Sequence, residues 1–308
     1  MTAPADLGDV ASRRRPVSRL RARINFAIFS AVAAGGGWLF AAMDRAAGET
    51  VGTGSVGSTS GGTNGQELWI AVPALTALVL YFLSRDGAGP VGLTPRFAGR
   101  ARWFGFATAL SPVTAVVAVA AATAAGVATF SVAPSAGAPS LPVAFATGLG
   151  FLLVKNLLEE FIFRGYGTRT AMALGLRGVA PHLLVGLVWG LWHLPLYTVW
   201  MSQEDFRRTT SLPWAWYLPL FFAGIMALAV LYGEMRVRTG SIWPGVVLHT
   251  VNNALVNPLL LNGHLSYRGN GDVLFGVAPN SLASVLVFGG VGLVLLRRRR
   301  RSGGRPGE

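Results

Sequence analysis

Three short stretches carry polar side chains set among apolar ones. They are KNLLEEFIFRGY, with Glu159, Glu160 and Arg164; WGLWHLP, with Trp189 and His193; and GSIWPGVVLHTVNNAL, with His249, Asn252 and Asn253. A charged side chain at mid-bilayer costs roughly 2.5–3.5 kcal/mol on insertion scales, so such groups stand in hydrocarbon only for a reason. Adjacent glutamates point about 100° apart on a helix and cannot easily share one role. Glu160 and Arg164 are four apart with the acid first, the favourable ion-pair order. Glu159 is left without a local cation, and an unpaired carboxylate away from water is a candidate general base. Trp189 stands one turn before His193 and can shield its ring, while Pro195 loosens the backbone just beyond. His249 and Asn253 are four apart on one face, where an imidazole and a carboxamide can donate to a developing oxyanion. Each motif alone also fits a plainer role: an ion-pair network, a satisfied buried histidine, or hydrogen-bonding glue between helices.

The elements that must hold these groups are membrane spans. The chain has 308 residues, 52% hydrophobic and 13% charged, with a mean hydropathy of +0.50; a soluble domain carries roughly 25% charged residues. Apolar runs recur at 24–43, 67–84, 103–132, 141–163, 179–200, 213–232, 241–261 and 274–296, which predicts an all-α, polytopic bundle of about eight transmembrane spans. The third run is long enough for a tilted span with an interfacial extension. Of the acidic residues, only Glu159 and Glu160 fall in the interior of these runs, with Glu67 on the first position of the second. At about 1.5 Å per residue, His249 lies on the order of 12 Å, and His193 about 21 Å, from the start of its span. Glu159 meets them at a similar depth if its helix continues past Arg164.

Arginine-rich loops alternate with loops poor in cations, and only 201–212 blurs the pattern. The positive-inside rule then places both termini in the cytoplasm. The net charge of +13 is explained by these flanks, so nucleic acid is not an expected partner. Trp69, Trp103, Trp200, Trp214 and Trp216 sit near span ends as interfacial anchors. Gly35, Gly36 and Gly37 read as a close-packing site, the stretch 53–65 as a flexible low-complexity loop, and His264 as solvated. The absence of cysteine excludes disulfides, thiol nucleophiles and thiolate metal sites.

Taken in order, Glu159-Glu160-x-x-x-Arg164, an aromatic-x-x-x-His ending at His193, and His249-x-x-x-Asn253 within RTGSIWPGVVLHTVNN resemble the CPBP family, the CAAX prenyl protease and bacteriocin-processing (Abi) group. The resemblance covers roughly residues 145–258. Trp189 departs from the family's usual phenylalanine. It implies an all-helical intramembrane endopeptidase in which Glu159 activates water with His193 assisting, His249 and Asn253 stabilise the oxyanion, and Glu160 and Arg164 hold the architecture. Two cofactor readings stand: none is required, or a divalent metal such as zinc is held by Glu160, His193 and His249, although the helical HExxH signature is absent.

The expected organisation is a disordered basic cytoplasmic tail (1–23), N-terminal spans (24–140), a catalytic helical core (141–262), a last span (263–296) and a basic cytoplasmic tail (297–308). A multi-pass cell-membrane protein follows. Its composition, rich in Gly, Ala and Arg with Lys155 as the single lysine, suits a prokaryotic plasma membrane. Its partners are membrane lipid and a peptide or membrane-protein substrate, prenylated or a secreted precursor. Two rival readings are a non-catalytic bacteriocin-immunity protein and a proton-coupled transporter.

Overall fold

The computed structural model describes residues 18–49, 62–83, 86, 88–132 and 137–301. Each apolar run contains one long helix: α1 (Arg19–Ala46), α2 (Asn64–Leu83), α3 (Ala101–Ala124), α4 (Leu141–Glu160), α6 (Ala180–Pro195), α8 (Trp214–Thr239), α9 (Trp243–Leu261) and α11 (Leu282–Arg301). Shorter helices are α5 (Thr168–Ala173), α7 (Gln203–Thr209) and α10 (Gly271–Phe275). Among the described residues, 6 helices are long and apolar enough to cross a membrane. The two further long helices are polar for separate reasons. α9 carries His249, Asn252, Asn253 and Asn257, and α11 ends in arginines. The molecule is an all-α polytopic bundle.

The third apolar run does not stay helical. α3 stops at Ala124, and Ala128–Phe130 forms a strand, β1, antiparallel to β2 (Leu265–Tyr267). Gly126, at φ 72°, makes the intervening turn possible. Helices also run past their apolar runs. α1 begins at Arg19, inside the segment expected to be disordered, and α11 carries the terminal arginines to Arg301. The start of the basic tail and most of the 53–65 loop lie outside the described residues.

The helix does continue past Arg164. α4 passes into a π-helical segment at Phe161–Gly167 and then into α5. A second π segment, Leu196–Trp200, follows Pro195, whose missing N–H removes an α-type bond. α8 extends beyond its predicted end and buries Glu234, a third intramembrane acid. Glu234 Oε1 lies 2.9 Å from His182 Nε2, and Arg299 Nε donates to Glu234 Oε2 at 2.8 Å. That cluster ties α6, α8 and α11 together. Asp44 is likewise buried at the end of α1, accepting from Trp200 Nε1 at 2.7 Å and Gly65 N at 2.8 Å.

The tryptophans divide. Trp216 is exposed, as an anchor should be, but Trp69 and Trp200 are buried. Trp69 stacks on Trp192 at 3.9 Å, and each indole N–H donates to the other's backbone carbonyl. Gly37 does mark close packing, since a Cβ there would meet Pro195 Cγ at 2.8 Å and Trp69 Cδ1 at 2.9 Å. His264 is not solvated: it is fully buried, with Nδ1 3.0 Å from the Ser131 carbonyl.

Candidate active site

The end of α4 supplies the carboxylates, α6 a tryptophan and a histidine, and α9 a histidine and an asparagine. α9 packs along α4, and its sequence shows how it is fixed. Gly240 closes α8 in the left-handed conformation. Ser241 Oγ then donates to the Thr94 carbonyl at 2.7 Å, and Trp243 Nε1 to the Leu93 carbonyl at 2.6 Å. Pro244 opens the helix where its missing N–H is harmless. At Gly245 a Cβ would stand 2.9 Å from Glu160 Oε2. The missing side chain is what lets α9 lie against that carboxylate.

Glu159, Glu160 and Arg164 are buried. Glu160 Oε1 lies 3.1 Å from His249 Nδ1, and its Oε2 is 3.6 Å from Arg164 Nε. The expected pairing of Glu160 with Arg164 is therefore present as an ion pair. The guanidinium also lies over two rings, 3.8 Å from the Trp189 centroid and 4.9 Å from that of Tyr232, a cation–π sandwich. With a carboxylate as acceptor, His249 Nδ1 carries the proton, and Nε2 faces Glu159 Oε2 at 4.0 Å.

Glu159 is not without a local cation. Lys155, one turn earlier, forms an ion pair with its Oε1. Trp189 Nε1 donates to Oε2 at 3.3 Å, so Trp189 binds the carboxylate as well as packing on His193, with ring centroids 5.3 Å apart. His193 Nδ1 is 2.9 Å from the Trp189 carbonyl. A carbonyl only accepts, so Nδ1 carries the proton and Nε2 is left as an acceptor.

Asn253 Nδ2 donates to Asn156 Oδ1 at 3.2 Å, which leaves its second amide hydrogen unused by that bond. Asn156 is fully buried, and Asn252 is held from the other side by Ser111 Oγ at 2.7 Å. Lys155 and Asn156 were not among the residues singled out from the sequence. Both carried a signal: Lys155 is the only lysine, four before Glu159, and Asn156 is a polar residue in a span, three before Glu159.

Lys155, Trp189, His193, Tyr232, His249 and Asn253 all line one cavity of about 280 Å³. The two glutamates stand just behind its wall. Glu160, His193 and His249 do not fit a metal triad here. Glu160 faces Arg164 and accepts from His249 Nδ1, and among the described residues no group of three His, Asp or Glu side chains is arranged to hold an ion. The chemistry is therefore derived from the residues alone.

Residues 141–255 match the family model of the type II CAAX prenyl endopeptidase Rce1-like proteins. No curated protein matches the chain. The matched segment begins with α4 and ends just past Asn253, so it contains Lys155, Glu159, Glu160, Arg164, Trp189, His193, His249 and Asn253. Over this segment, 115 of the 308 residues, the chain is similar to the Rce1-like type II CAAX prenyl endopeptidases.

Proposed function

We propose that this chain hydrolyses a peptide bond within the membrane by direct attack of water. Glu159 takes the proton of the attacking water as its oxygen bonds to the scissile carbonyl carbon, and His193 Nε2 helps to orient that water. Asn253 Nδ2, and His249 Nε2 in the doubly protonated imidazolium, donate to the resulting oxyanion. When the C–N bond breaks, the proton held by Glu159 passes to the leaving amine, so the base of the first step is the acid of the second. Glu160 and Arg164 hold His249 and Trp189 in place. The substrate is a membrane-associated peptide, prenylated or a secreted precursor, and the enzyme lies in the cell membrane with both termini in the cytoplasm.

The observation that supports this most is the convergence of three helices' buried polar groups on one cavity, with His249 Nε2 4.0 Å from Glu159 and a histidine and an amide on the cavity wall. The test is cleavage of a quenched fluorescent peptide by the purified protein in detergent. Glu159→Ala and His249→Ala are each expected to lower the rate by about 10²–10⁴-fold, the usual contribution of a positioned base or oxyanion donor. Cleavage that survives both changes rules out this site. Flux driven by a proton gradient, with no cleavage, makes the chain a transporter instead.

A further inference from the structure

The two ends of the bundle differ in charge. One end gathers the arginines at the start of α1, in the 96–102 segment, after α5, and at the ends of α8 and α11. They are neighbours in space: Arg100 Nη1 donates to the Arg238 carbonyl at 2.6 Å, and Arg19 and Arg300 lie against the Gly175 and Gly178 turns. The other end carries Asp44, Glu49, Glu67, Glu204, Asp205 and Asp272 among only a few cations. By the positive-inside rule the first end is cytoplasmic.

The cavity reaches the second end, where exposed Gly62 and Glu67 line it. From His249 it follows α9 past Asn257 to Leu261, about 18 Å of helix. Along α8 it runs from Tyr232 back to Tyr217, and its mouth lies between Glu67 of α2, Thr209 of α7 and Asn280 ahead of α11. Among the described residues, none in the arginine-end turns at 86–100, 174–179 or 240–242 lines it. Its walls between mouth and site are apolar and aromatic, including Ile70, Leu196, Tyr197, Phe221, Ile225 and Leu228. Such walls accept an apolar, unfolded stretch of chain, and at about 3.3 Å per residue five or six extended residues span the distance from mouth to site.

Resting on the protease reading above, we propose that the enzyme is served from the non-cytoplasmic side. Its substrate class is then an apolar peptide segment presented at the outer face of the membrane, from a secreted precursor or a membrane-anchored protein. The cytoplasmic C-terminus of a prenylated protein does not meet this mouth.

The absence of native cysteine gives a direct test. Single-cysteine variants Glu67→Cys, at the mouth, and Ala98→Cys, at the arginine end, are labelled in intact cells with a membrane-impermeant maleimide. Labelling of Glu67→Cys in intact cells, and of Ala98→Cys only after permeabilisation, is the expected result; the reverse overturns the proposal. In parallel, one apolar reporter segment is displayed on a membrane anchor at either face. At least tenfold faster cleavage of the outer-facing reporter, abolished by Glu159→Ala, is expected. Preferential cleavage of the cytoplasmic reporter overturns the proposed side while leaving the protease reading intact. If neither reporter is cut and the detergent-purified protein also fails on soluble peptide, the protease reading itself falls and takes this proposal with it.

Discussion

Lys155 and Glu159 form a pair in which the cation is partly exposed and the acid is wholly buried. Removing one partner of such a pair leaves the other charge uncompensated, at about 1–3 kcal/mol once the exposure of Lys155 is discounted. Lys155→Met is therefore expected to lower the melting temperature in detergent and to reduce peptide cleavage at least tenfold through kcat, while Lys155→Arg restores much of both. Steady-state kinetics beside thermal unfolding checks this; unchanged kcat in Lys155→Met would mean that the pair does not set the state of Glu159. The pairing was readable from the i, i+4 spacing. The preferred order for such a pair puts the acid first, which drew attention to Glu160 and Arg164 and away from Lys155. No spacing rule could assign Trp189 Nε1 to Glu159, because that bond crosses from α6 to α4.

α9 meets α4 at a point where only a hydrogen fits. Gly245→Ala would press a methyl group against Glu160 Oε2, 2.9 Å away, and overpacking of this kind costs typically 1–3 kcal/mol. The expected outcome is a lower melting temperature and a fall in kcat larger than any change in KM, because Glu160 holds His249. A variant that melts lower with full activity would separate Gly245 from the site. Each of the three motif stretches lies on a long helix, as its apolar run leads one to expect, since apolar runs bounded by arginines and turn residues are strong signals in a membrane chain. Helix ends were less legible. Glu234 and Asp44 lie just past the predicted runs 213–232 and 24–43, yet tertiary partners on α6, α11 and α2 let the helices continue over them.

Across the whole molecule, loops are fastened to the bundle by buried ion pairs. Asp86, between α2 and α3, is paired with Arg169 of α5 and accepts from Asn25 Nδ2 of α1 at 3.3 Å. Burial on its own would raise its pKa. The Ala88 amide, the Arg169 hydrogen bond and charge, and Asn25 outweigh that and hold the carboxyl below its ordinary value. A group depressed on folding contributes stability above its unfolded pKa, about 3.9, and loses that contribution as pH falls through the lower folded value. Melting temperature is therefore expected to hold from neutral pH down to about pH 4 and to drop below it. Asp86→Asn should melt lower at neutral pH and show a shallower acid limb, as thermal scans across pH would register. An acid limb unchanged in Asp86→Asn would assign the loss to other carboxylates.

The sequence by itself determined that this is a helical membrane protein, that Glu159, His193 and His249 fall in apolar spans, and that their types suit water-mediated hydrolysis. Insertion energetics act on each segment separately, and i, i+4 geometry acts within one helix. Only the tertiary structure decided that Lys155 and Trp189 hold Glu159, that Glu160 is shared between Arg164 and His249, and at which end the cavity opens. Those facts depend on how α4, α6, α8 and α9 pack against one another, and contacts between helices far apart in the chain leave no periodic trace in any one of them.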